Sequence, residues 1–130
     1  MSHNLTLKVL PGRFSVCKLP ADAEVPACVL NEPLFSLTRT PEEISLIVPE
    51  GRTEPGWQVE AGWRMLKVLG PLDFNLVGIL YQIAEPLSKA HISIFVNSTY
   101  DTDYLMVKGS LLGQAIAALR ASGIEVFWSE

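Results

Sequence analysis

Asp101 and Asp103 flank Thr102 in the run Ser98-Thr99-Tyr100-Asp101-Thr102-Asp103-Tyr104, which turns the chain and leads into a strand. Two carboxylates so close could hold a metal or work as an acid–base pair, but either chemistry needs further acidic or imidazole groups. Only the distant Asp73 offers one. On extended backbone, positions two apart share a face, so Thr99, Asp101 and Asp103 can line one surface; the plainer reading is that Asp101 makes the turn. No nucleophile assembles. Ser93, Ser98, Ser110 and Cys17 have no nearby histidine, and His91 adjoins a strand with apolar partners. His3 and His91 lie far apart and pair with neither Cys17 nor Cys28, so no metal site is visible. Gly109 and Gly113 match no phosphate-loop spacing, and the sequence predicts a protein without catalysis, metal or cofactor.

The segment Leu72-Asp73-Phe74-Asn75-Leu76-Val77-Gly78-Ile79 offers binding chemistry instead. It leads from a strand into a helix, where free backbone N–H groups favour an anion such as an amino-acid carboxylate. Gly78 lets a ligand or a neighbouring backbone come close; equally, it could serve only tight helix-to-strand packing.

Elements around these residues follow from periodicity. Leu5, Leu7 and Val9 alternate with polar residues as a strand; Pro11-Gly12 turns the chain, and Arg13 to Leu19 returns as its partner. Pro20 to Asn31 is irregular, with at best one short element, and Leu34 to Thr38 is a third strand. Thr40-Pro41-Glu42-Glu43 reads as a capping box opening a brief helix before a strand at Ile44 to Val48. Gly51 to Gly62 reads as a linker. Beyond it come a strand at Trp63–Leu69, a helix from Leu76 through Leu87 capped at Asn75, and strands at Ile92–Val96 and Asp103–Lys108. A second helix from Leu111 ends at Gly123, and Ile124–Trp128 forms a last strand. The order β-α-β-β-α-β is the ferredoxin-like plan, an antiparallel sheet with both helices on one face. Residues 1–60 have strands in matching places but only stubs for helices. The expectation is therefore an α+β fold with a degenerate module over 1–60 and a complete one over 61–130.

The whole is 130 residues, 48% hydrophobic, with no run near the ~18 apolar residues of a membrane helix, so the surplus points to a filled core and an oligomer interface. Ten basic residues, scattered, against fourteen acidic ones leave a net charge of −4 and argue against nucleic acid. No basic amphipathic helix suggests a membrane surface. Without a signal-peptide pattern the protein is expected in the cytoplasm, with Cys17 and Cys28 reduced and mostly buried.

Two longer stretches carry a resemblance. Phe35-Ser36-Leu37-Thr38-Arg39-Thr40-Pro41-Glu42-Glu43 resembles a segment of CASTOR-type members of the ACT domain family. Glu85-Pro86-Leu87, His91-Ile92-Ser93 and Ser98 through Tyr104 resemble further motifs of the same proteins. The eukaryotic members are cytosolic arginine sensors of four ACT modules, and this chain has the length of a two-module half. The resemblance implies tandem ACT modules and an amino-acid pocket between two halves, supplied here by a homodimer. It assigns Leu76, Val77, Gly78, Ile79, Thr99, Tyr100 and Asp103 to one side of that pocket, and Ser93 and Ile94 to the opposing subunit. Tyr100 and Asp101 lie where the sensors meet a larger protein complex, which makes an unidentified protein partner an expectation too. Leu76 falls where an arginine-binding module carries an acidic residue, which argues against arginine itself. Two alternatives to an amino-acid sensor are a protein-interaction adaptor with a vestigial pocket and a detached regulatory subunit of a biosynthetic enzyme such as aspartate kinase.

Overall fold

Leu7 and Val9 are fully buried while Thr6 and Lys8 stay half-exposed, as a strand with one covered face requires. That strand is β1 (Thr6–Val9); β2 (Phe14–Leu19), α1 (Ala27–Leu30), β3 (Ser36–Arg39), β4 (Ile44–Pro49) and β5 (Gln58–Val68) follow. Then come α2 (Ile79–Lys89), β6 (Phe95–Ser98), β7 (Asp103–Lys108), a 3-10 turn at Gly109–Leu111, α3 (Leu112–Ala121) and β8 (Glu125–Trp128). The computed structural model describes residues 5–69 and 78–129. The chain divides into Gly12–Trp63 and a discontinuous unit, Met1–Pro11 with Arg64–Glu130. Where a boundary at 60/61 is expected, this division falls at 63/64, and residues 1–11 go with the later unit, because β1 is hydrogen-bonded to strands there.

In Gly12–Trp63 the strands run β3-β4-β2-β5, all antiparallel, with Ser36 opposite Ile47, Leu19 opposite Ile44 and Cys17 opposite Val59. Cys17, Leu19, Ile44, Leu46 and Val48 form one apolar face, covered by Val29 of the one-turn α1 and by half-buried Val25, Phe35 and Trp57. The capping box opens no helix. Thr40 Oγ1 does accept the amides of Glu42 and Glu43 at 3.2 and 3.1 Å, but the Thr40 N–H donates to the Glu43 carbonyl at 2.9 Å and closes a hairpin. A hydroxyl-to-amide bond serves a turn as well as a helix start, and the β-branched run Ile44–Val48 decides for strand. Nor is 51–62 all linker: β5 begins at Gln58 and lasts 11 residues. Cys17 is buried, and burial pushes its thiol pKa up, whereas Cys28 is exposed, against the expectation for both.

The other unit carries the order β6-β7-β5-β1-β8. β1 is antiparallel to β5, with Leu7 opposite Val68, and parallel to β8, with Leu7 opposite Val126. The sheet is therefore mixed rather than antiparallel, because β1 occupies the place beside β5 and separates it from β8. The fold class stands as α+β and ferredoxin-like. In α2, Ile79, Ile83 and Leu87 recur every fourth residue; in α3, Leu112, Ala115, Ile116 and Leu119 make the matching stripe. Both stripes share one core with Leu66, Val68, Leu105, Val107 and Val126, and each such Leu, Ile or Val contributes about 1.5–3 kcal/mol. β6 starts at Phe95 rather than Ile92, since the Ile92 N–H is spent on the Leu87 carbonyl (2.9 Å), ending α2. At the outer edge, Arg120 Nη2 donates to the Val126 carbonyl of β8 at 2.6 Å. Among the described residues no helix is long and apolar enough to cross a membrane, and no group of His, Cys, Asp or Glu could hold a metal ion.

Candidate ligand site

Gly78 is the N-cap of α2 and sits at φ +83°, a left-handed conformation that favours glycine. Among the described residues no side chain caps this helix start, and the first intrahelical bond runs from the Gln82 N–H to the Gly78 carbonyl at 2.9 Å. The first-turn amides at this positive helix end thus have no side-chain cap among the described residues. Ile79 turns into the core instead, at 6% exposure, so its side chain anchors the turn. Leu80 and Tyr81 stay exposed, and the Glu85 carboxylate, bonded to the Tyr81 hydroxyl one turn on, pushes that phenol's pKa up. Leu76, Val77 and Asn75 lie outside the described residues.

A hairpin tip stands at the end of β5, the strand that leads toward that helix. Ser98 and Asp103 face each other as the last pair of β6 and β7, and Ser98 Oγ donates to Asp103 Oδ1 at 2.5 Å. Between them Thr99 closes the loop: its N–H reaches the Thr102 carbonyl at 2.8 Å, and its Oγ1 accepts the Thr102 N–H at 3.2 Å. Thr102 is the clasp. It is 6% exposed and its Oγ1 donates to the Val68 carbonyl at 2.5 Å. Because the Leu69 N–H bonds Thr6, the polar groups of Val68 face away from β1, and the Thr102 hydroxyl supplies the donor that the ladder lacks there. This fixes Thr99, Tyr100 and Asp103 at the end of β5, with Asp103 half-exposed and Tyr100 82% exposed.

Ser93 and Ile94 are elsewhere. They line a hollow of about 390 Å³ with Ala84, Ser88, His91 and Ile92, at the far end of α2. The 11 residues of α2 span about 16 Å. Five steps of extended chain from Ile94 to Thr99 span roughly 17 Å. Within one copy Ser93 therefore cannot join Gly78 and Asp103 around a small ligand. The sequence singled out Thr102 only as part of a motif and left Ser98 as a rejected nucleophile; their roles depend on strand pairing, for which no local pattern exists.

Comparison with known proteins adds to this geometry. Residues 58–121 match the family model described as ACT domain. Over 59 residues the chain is 41% identical to the human (Homo sapiens) "Cytosolic arginine sensor for mTORC1 subunit 1", a match covering 45% of this chain and 18% of that protein. The matched stretch is thus less than a fifth of that relative's length. A solved protein of Agrobacterium tumefaciens is 31% identical, with a TM-score of 0.92 over 99% of this chain and 96% of that one. The regulatory subunit of aspartate kinase from Thermus thermophilus is 9% identical, with a TM-score of 0.60 over 85% of this chain and 93% of that one, and shows the fold alone.

Proposed function

We propose, for a chain that belongs to the ACT domain family, a regulatory role exerted by binding an amino acid, without catalysis. The observation that carries it is the Thr102–Val68 clasp, which holds Asp103 and Thr99 at the end of β5, the strand that precedes α2 in the chain. The two ends of an amino acid have matching partners there. Its carboxylate suits the amides after Gly78 together with Leu76, Val77 and Ile79, and its ammonium suits the Asp103 carboxylate, with Thr99 and Tyr100 beside it. The name of one relative supports the same class, since it is an arginine sensor.

The pocket is completed in a homodimer, where Ser93 and Ile94 of one copy face Gly78 of the other. The roughly 16 Å between those ends of α2 is what requires a second copy. Binding then stabilises one dimer arrangement by differential affinity. The two units are tandem ACT modules, the one over Gly12–Trp63 reduced to strands and a helical stub. The protein works in the cytoplasm, with no nucleic acid, membrane, metal or cofactor in its action. A second reading, an adaptor for an unidentified protein, is favoured by Tyr100, exposed at the hairpin tip.

Isothermal titration of the purified dimer with the twenty amino acids tests the proposal. Binding by one class, lost in Asp103→Ala, supports it. No heat and no thermal shift with any of them removes the ligand, and retained partner capture by Asp103→Ala then favours the adaptor.

A further inference from the structure

In the discontinuous unit the sheet ends on β8, which has β1 on one side and, among the described residues, no strand on the other. Parallel pairing uses every second residue of β8. The Glu125 N–H reaches the Leu5 carbonyl at 3.0 Å, and the Ser129 N–H reaches the Val9 carbonyl at 2.8 Å. With Leu7 opposite Val126 and Val9 opposite Trp128, the backbone groups of Glu125, Phe127 and Ser129 face β1, so those of Val126 and Trp128 face outward. Two large apolar side chains stand on the same strand, Phe127 at 43% and Trp128 at 51% exposure. An edge of this kind is a template for another strand.

The strand that fits it is β8 itself. Two copies related by a two-fold axis at Phe127 would pair antiparallel, with Val126 of each opposite Trp128 of the other. Each such pair exchanges both N–H···O bonds, and the two Phe127 side chains meet on one face of the joined sheet.

One residue stands in the way. Arg120, exposed in the last turn of α3, donates from Nη2 to the Val126 carbonyl at 2.6 Å. The Glu125 carboxylate, which lines the same hollow, accepts the Thr6 hydroxyl instead. The carbonyl that Arg120 holds is one of the two acceptors each copy would offer, and pairing would draw two guanidiniums into one seam. We infer that Arg120 closes the β8 edge and so prevents antiparallel β8-to-β8 pairing between copies. The closure matters to any dimer made through another surface, because a second two-fold contact on each copy would string dimers into an open chain.

Analytical ultracentrifugation of the full chain and of Arg120→Ala, each over a wide range of concentrations, tests it. Alanine suits a helix position, so the variant is expected to fold. The parent's mass is expected to stay constant, while that of Arg120→Ala rises with concentration to at least about twice the parent's. Adding Trp128→Pro removes an outward N–H and none that β1 uses, and should restore the parent's mass. Hydrogen exchange gives a second reading: the Val126 and Trp128 amides of Arg120→Ala should gain protection as concentration rises. A mass equal to the parent's at every concentration overturns the inference. So does association that persists with Trp128→Pro or that leaves those two amides unprotected.

Discussion

Thr102→Val isolates the clasp on which the site's geometry depends. Valine has nearly the shape of threonine and the same branching, so it fits the start of β7 without new strain. What it lacks is the hydroxyl that donates to the Val68 carbonyl at 2.5 Å from a position 6% exposed. Leaving a buried carbonyl without its partner costs about 1–3 kcal/mol, and the extra apolar methyl returns up to about 0.8 kcal/mol. The net loss is therefore about 1–2 kcal/mol. For a chain of this length that lowers Tm by about 4–8 °C, which differential scanning fluorimetry reads directly. Hydrogen exchange localises the effect: the Thr99 amide, bonded to the Thr102 carbonyl at 2.8 Å, loses protection, while the helix end at Leu87 keeps it. Ligand affinity falls with it, since Asp103 is no longer held at the end of β5. A variant that melts within about 1 °C of the parent and protects Thr99 equally would refute the argument that this hydroxyl holds the hairpin.

Thr40→Ala removes the acceptor of the Glu42 and Glu43 amides, and urea titration should show a loss of about 0.5–1.5 kcal/mol with an unchanged m value. Leu87→Ala, at a fully buried position between α2 and its sheet, should cost about 2–5 kcal/mol by the same measurement. A chromogenic thiol reagent at neutral pH should react at once with the exposed Cys28 and with Cys17 only on unfolding, because burial both shields the Cys17 thiol and raises its pKa.

Local pattern reaches a particular distance into this molecule. The alternation at Leu5–Val9, the helical stripes and the glycine after α3 each declare themselves within a few residues, although α2 starts at Ile79 with Gly78 as its N-cap and not at Leu76 after Asn75, and Leu80 is exposed. The mixed sheet does not. Nothing between Thr6 and Val9 says that its partners are Leu66–Val68 and Glu125–Trp128, and the plain βαββαβ order hides a fifth strand within the sheet. Thr40 shows a different limit: one side-chain acceptor fits two backbone paths, and the residues after it decide. At the site, Gly78 and the Ser98–Tyr104 run were visible as types and spacing. Thr102's bond to Val68 and His91's left-handed backbone were not, since one is a contact across 34 positions and the other a dihedral angle.

The wedge of β1 between β5 and β8 sets an order of events during synthesis. Thr6 and Glu125, hydrogen-bonded to each other, are 119 positions apart, so the earlier strand leaves the ribosome long before its parallel neighbour exists. At about 5–20 residues per second the wait is several seconds. Gly12–Trp63 is contiguous and can fold in that interval, while β1 stays unpaired on at least one side, an extended apolar edge in the crowded cell. Completion of the discontinuous unit thus waits on Glu125–Trp128, and a nascent chain stalled before Glu125 is the form most exposed to misassembly.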